Sequence, residues 1–179
     1  MILETRGQID ELSLAKAWCD WNLKSLNNYM EAILKLPQAD RVKDRGASWG
    51  SILNIFLHIL EDYEWWFECI PQNRQSEYRD YVGNEMSDQE LRQLTERMNH
   101  SVHTTMDSAK LSDLSRAYVV KGIGGNGKPY AMTTCLADIV WHMVEEQLQH
   151  IGELNALFWQ LDIEPPTRAW FSSELAWTH

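Results

Sequence analysis

The chain has 179 residues, of which 44% are hydrophobic, and carries 26 Asp and Glu against 16 Lys and Arg, for a net charge of −10 and a pI near 5.0. That length suits one folded domain over residues 1–179. An acidic surface repels phosphate backbones and anionic lipid, so nucleic acid and membrane surfaces are poor candidate partners.

The first fourteen residues, MILETRGQIDELSL, lack an apolar run behind a basic start, so no signal peptide is expected. No apolar stretch is long enough for a membrane span; acids follow even residues 51–60. Cys19, Cys69 and Cys135 are odd in number and far apart, which argues against a disulfide framework and a CxxC site. Reduced thiols point to a cytoplasmic protein.

In chain order, residues 1–12 read as a polar lead-in. Ser13 is expected to cap a first helix ending near Leu36 before Pro37, with Leu14, Trp18, Trp21, Met30 and Ile33 as its apolar stripe. Residues 38–47, QADRVKDRGA, read as a charged loop. A second helix is expected to begin after Ser48 and run to Ile70, stopped by Pro71, with Ile52, Ile55, Ile59, Tyr63 and Trp66 inward. Residues 72–86 are polar and read as a loop with one helical turn. Ser87-Asp88-Gln89-Glu90 is a capping-box sequence, which predicts a third helix to about Ser108 with Leu91, Leu94, Met98 and Val102 inward. Residues 110–132 hold Val119-Val120 and Tyr130 around a glycine-rich centre, the pattern of a short hairpin.

The longest periodic segment is 133–161. Leu136, Ile139, Met143, Leu154, Leu157 and Leu161 recur at helical steps, and Thr133 or Thr134 is expected to cap it. Midway the row turns polar: Glu146 and His150 lie one turn apart on one face. An ionisable pair facing a core must be paired, hydrogen-bonded or metal-bound. His58 and Asp62 make a matching polar notch beside the seam of the second helix. His58, Glu146 and His150 therefore form the candidate ligand set for a divalent ion such as Zn²⁺, Ni²⁺, Fe²⁺ or Mn²⁺. His142 and Asp62 stand by as reserve ligands, and His142, Asp62 and Glu153 as imidazole-orienting partners or a catalytic base. The bland alternative is a surface Glu146–His150 pair and a simply hydrogen-bonded His58. Four amphipathic helices predict an all-α, four-helix-bundle fold.

Several short motifs share one order with a known family. Trp21-Asn22 and Leu36-Pro37 match an aromatic-Asn pair and a Leu-Pro exit. Ser51-Ile52, His58-Ile59-Leu60 and Trp65-Trp66 match a Ser-Ile…His-Ile-Leu…Trp pattern. His142, Glu146, His150 and Gly152 are similar to a His-x3-His-x3-His-Arg-Gly run. From Trp18 to about Leu161 the chain thus resembles the DinB-like (damage-inducible) family of four-helix metalloproteins. The resemblance implies an up-down bundle with a short irregular or hairpin insert before the last long helix. It places the family's three metal histidines on His58, Glu146 and His150. Glutamate replaces the middle histidine, which implies a harder metal preference, and Ile151 stands where the family has arginine. In an alternative set His142 swings in and Glu146 acts as base.

Some members of that family are thiol-dependent transferases or isomerases. The resemblance therefore implies a metal-dependent S-transferase, with a low-molecular-weight thiol and a small-molecule substrate as partners. The rival is a non-catalytic bundle whose metal site has decayed. The family name gives no reason to expect DNA binding.

GIGGNGK, residues 122–128, lacks phosphate-loop spacing, since Pro129 stands where Ser or Thr would follow the lysine, and reads as a loop. His100, His103 and His179 read as surface histidines. The tail aromatics Trp170, Phe171 and Trp177 are expected to pack down or bury in a homodimer contact.

Overall fold

The computed structural model describes residues 10–123 and 127–166. It is mostly helical, with a two-stranded antiparallel sheet inserted before the last helix. Helix α1 spans Glu11–Leu34, α2 Gln38–Val42, α3 Ile52–Tyr63, α4 Asp88–Ser108 and α5 Leu136–Trp159. Strands β1, Ala117–Ile123, and β2, Pro129–Cys135, pair from Ala117 opposite Cys135 to Ile123 opposite Pro129. Helix α1 packs on α4 and α5, and α3 packs on α5 and α4. A continuous cluster of buried side chains fills the space between them. The predicted lead-in up to residue 9, the glycines at 124–125, and the tail residues Trp170, Phe171, Trp177 and His179 lie outside the described residues.

The helix starts follow local polar chemistry. Asp10, not Ser13, caps α1: its carboxylate accepts from the Ser13 amide at 2.8 Å. A carboxylate at this position also complements the positive end of the helix. Ser51 caps α3 by accepting from the Asn54 amide at 3.1 Å, so that helix starts at Ile52, beyond Ser48. The predicted capping box of α4 is present, with Ser87 and Glu90 each accepting from the other's amide at 3.3 and 2.8 Å. Thr133 and Thr134 do not cap α5. They belong to β2, which runs straight into the helix at Cys135, where Asp138 accepts from the Cys135 amide at 3.1 Å.

Two further differences have physical causes. The charged stretch at 38–47 contains α2, whose Arg41 is buried and donates to the Leu34 and Leu36 carbonyls at 2.6 and 2.9 Å. Those carbonyls lie at and just past the C-terminal end of α1, where a cation is well placed. On α1 the buried row is Cys19, Leu23, Leu26, Met30 and Ile33, while Leu14 is exposed and Trp18 and Trp21 are half-buried. The large indoles suggested the wrong edge of the helix, because aromatic bulk is often only partly covered.

Past Tyr63 the winding loosens into a π-helical stretch, Glu64–Cys69, closed by a bond from the Ile70 amide to the Trp65 carbonyl at 2.9 Å. The wider turn brings Phe67 into the core and leaves Trp66 half-buried, against the α-helical expectation. Helix α4 buries Leu91, Leu94, Met98 and Val102 as expected.

Candidate metal centre

Helix α3 contributes His58 and Asp62, one turn apart, and α5 contributes Glu146, His150 and Glu153. Their meeting depends on the register of α5, which a buried polar chain fixes one residue beyond Glu146. Tyr63 donates to Gln147 Oε1 at 2.6 Å, Gln147 donates to the Asn22 carbonyl at 2.8 Å, and Asn22 donates to the Met143 carbonyl at 3.2 Å. Gln147 is 1% exposed, so this clamp links three helices within the core.

Around this clamp the donors converge. Glu146 Oε1 lies 3.2 Å from His150 Nε2 and 3.5 Å from His58 Nε2. The two imidazoles meet edge to face with centroids 4.8 Å apart. One ligand atom from each of His58, Glu146 and His150 lies within 4.8 Å of the others, which is a group that could hold a metal ion. Donors on a single first-row ion at about 2.1 Å sit about 3–4 Å apart, so side-chain rotation suffices to close the set. The residues present fit a divalent cation.

The outer face of each imidazole is also occupied. His150 Nδ1 is 2.8 Å from Glu153 Oε2, and Glu153 is held in turn by the Ser48 amide and hydroxyl at 3.2 and 2.7 Å. His58 Nδ1 lies 3.7 Å from Glu61 Oε2. Glu61 is buried and accepts from the Tyr81 and Val82 amides, the latter at 2.7 Å. A carboxylate behind an imidazole fixes its tautomer and leaves Nε2 free to face inward. Trp49 stacks on His58 with centroids 4.2 Å apart and 30° between planes.

The charges respond to this crowding. Burial favours the neutral imidazole of His58, but Glu61, Asp62 and Glu146 outweigh it and hold its pKa above the usual value. Burial pushes the Asp62 carboxyl up to about 6, with His58 opposing and Glu146 adding to the rise. For Glu153 burial acts upward, but the hydrogen bonds from Ser48 and His150 win and its pKa is lowered.

The candidates from the sequence thus divide. His58, Glu146 and His150 come together. Asp62 joins their edge, 3.3 Å from His58 Nε2, and Glu153 stands behind His150. His142 packs edge to face on Trp66 at 5.1 Å and is not in the donor group. The sequence reading missed Ser48, Trp49, Glu61 and Gln147. Ser48 and Trp49 sit in a turn shaped by Gly46 and Gly50 at φ of 75° and 79°. A tryptophan between two glycines was the available signal; Gln147 had none beyond its place beside Glu146.

The fold and the site together define a mostly helical protein with a His/Glu/His group of metal-binding geometry. The DinB family model matches residues 13–172, and the chain belongs to the DinB family. No curated protein matches the chain.

Proposed function

We propose that this protein binds one divalent metal ion through His58, Glu146 and His150 and uses it as a thiol-dependent S-transferase. The observation that carries the metal reading is the convergence of two Nε2 atoms on one Glu146 oxygen, at 3.2 and 3.5 Å, from two different helices. A divalent ion bound there would hold a coordinated thiol as thiolate or lower the pKa of a bound water. Glu153 and Glu61 would keep both imidazoles in the Nδ1–H tautomer. Trp49 would wall one side of the site and limit access of water. The thiol rests on the family resemblance, as does reading α1, α3, α4 and α5 as an up-down four-helix bundle. The three free cysteines support a reducing, cytoplasmic setting.

The test is elemental analysis of the purified protein, alongside His58→Ala and His150→Ala. The expected result is close to one ion per chain in the parent and a loss of tenfold or more in each variant. Equal metal content in all three would refute the reading. Metal-loaded protein should then accelerate transfer of a low-molecular-weight thiol to an electrophile.

A non-catalytic reading is favoured by one observation: both ring nitrogens of His150 already have carboxylate partners. A parent protein that stays metal-free after dialysis against Zn²⁺ or Mn²⁺ would select it.

We also propose a homodimer through the outer face of α5. Trp141, Leu148 and Trp159 are 57%, 47% and 60% exposed on one stripe, with open space around Gly152. The pairs 141/159 and 148/152 are symmetric about position 150. An antiparallel second copy would therefore set Leu148 over the Gly152 gap and tryptophan on tryptophan.

A further inference from the structure

We propose that Asp62 is a fourth ligand, making the site a two-histidine, two-carboxylate centre. This rests on the metal reading above and says which ion it prefers.

Asp62 follows His58 by one turn of α3 and is 18% exposed at its side chain. Its Oδ2 lies 3.3 Å from His58 Nε2. Glu146 Oε1 lies 3.5 Å from the same nitrogen. An imidazole nitrogen carries at most one proton and can satisfy only one acceptor along its N–H direction. Asp62 Oδ2 is buried and makes no hydrogen bond among the described residues. A buried carboxylate oxygen without a donor is costly and calls for an explanation.

A shared cation supplies one. Two ligands of a first-row ion lie roughly 3 Å apart, close to one another without being bonded to each other. The separations of 3.2, 3.3 and 3.5 Å between neighbouring donor atoms have that character. Asp62 lies outside the tight group of His58, Glu146 and His150, so its carboxylate must turn inward to share their ion. The surrounding charge agrees. Glu61, Asp62, Glu146 and Glu153 encircle the two imidazoles, and among the described residues their ion-pair partners are those histidines alone. A dipositive ion held by Asp62 and Glu146 would offset the charge of those two carboxylates, while Glu61 and Glu153 are held by amide and hydroxyl donors of their own.

The donor set names the ion. Two imidazoles with two carboxylates are more oxygen-rich than a three-histidine set. They suit a six-coordinate ion such as Mn²⁺ or Fe²⁺ over tetrahedral Zn²⁺, with two positions left for substrate.

The test combines titration and crystallography on the full chain. Metal-free parent, Asp62→Asn, Asp62→Ala and His150→Ala are each titrated with Mn²⁺ and with Zn²⁺ by calorimetry. The parent is also crystallised with Mn²⁺ and mapped by anomalous scattering. Both Asp62 variants should fold, lose at least tenfold in Mn²⁺ affinity and lose less for Zn²⁺. An Asp62 oxygen should lie within about 2.3 Å of the ion. An Mn²⁺ ion held by His58, Glu146 and His150, with Asp62 beyond about 3 Å, overturns the fourth-ligand role and leaves the metal reading intact. Equal losses for both metals also count against it. Failure of the parent to bind either metal overturns both.

Discussion

The two glutamates that touch His150 differ in what holds them. Glu153 is pinned by two hydrogen bonds from Ser48 and sits behind the ring, whereas among the described residues the ion-pair partners of Glu146 are the two imidazoles. Glu146 is thus free to turn towards an ion while Glu153 keeps the ring in place. The residue-by-residue division between donor and support could not be read from sequence, where both glutamates lie within a turn of His150. It depends on a contact from Ser48, 105 residues earlier in the chain. A second residue-scale consequence concerns Cys19. Burial, with Asp20 adding to it, pushes this thiol up to about 12 from an ordinary 9.0. The unfolded chain therefore loses its proton first. The resulting contribution to stability is complete below pH 9 and drains as pH rises from 9 towards 12, by about 1.4 kcal/mol per unit. Urea midpoints at pH 8.5 and 10 should fall more steeply for the parent than for Cys19→Ala. Parallel slopes would show that another group carries the dependence.

At the scale of elements, the interface between α3 and α5 carries buried polar contacts among its apolar ones. Removing the hydroxyl in Tyr63→Phe leaves Gln147 with a buried oxygen unpaired, at a cost of about 1–3 kcal/mol. Chemical denaturation should show this loss; a change within error would mean that the chain of hydrogen bonds contributes nothing net. The sequence exposed much at this scale. Ser87 and Glu90 marked the start of α4, and the valines and Tyr130 marked the hairpin, because both signals are local. Asp10 was overlooked as a cap in favour of Ser13, since the two lie three residues apart and bond to each other. Trp66 was misplaced because helical periodicity assumes a constant turn, and the turn widens after Tyr63.

At the scale of the molecule, the helical character, the hairpin insert and the convergence of α3 and α5 were all legible, because long periodic segments record which faces must be covered. What was not legible is how the connecting segments serve the site. The turn at 46–50 and the loop at 78–83 lack periodicity, yet they deliver Ser48, Trp49 and the amides that fix Glu61. Among the described residues no helix is long and apolar enough to cross a membrane. The exposed α5 stripe gives the whole-molecule prediction. Sedimentation velocity at tens of micromolar should find a dimer for the parent and a monomer for Leu148→Glu, because a buried unpaired carboxylate opposes association. A monomeric parent would discard the homodimer.

The π-helical stretch has a bearing on how chains of this kind are compared. It lies downstream of His58 and Asp62, so its extra slack is absorbed between those residues and Pro71. A relative one residue shorter there could wind that interval as ordinary α-helix without displacing either side chain. Sequence comparisons should accordingly allow a gap between the histidine and the proline, and should anchor on the histidine when tracing ancestry.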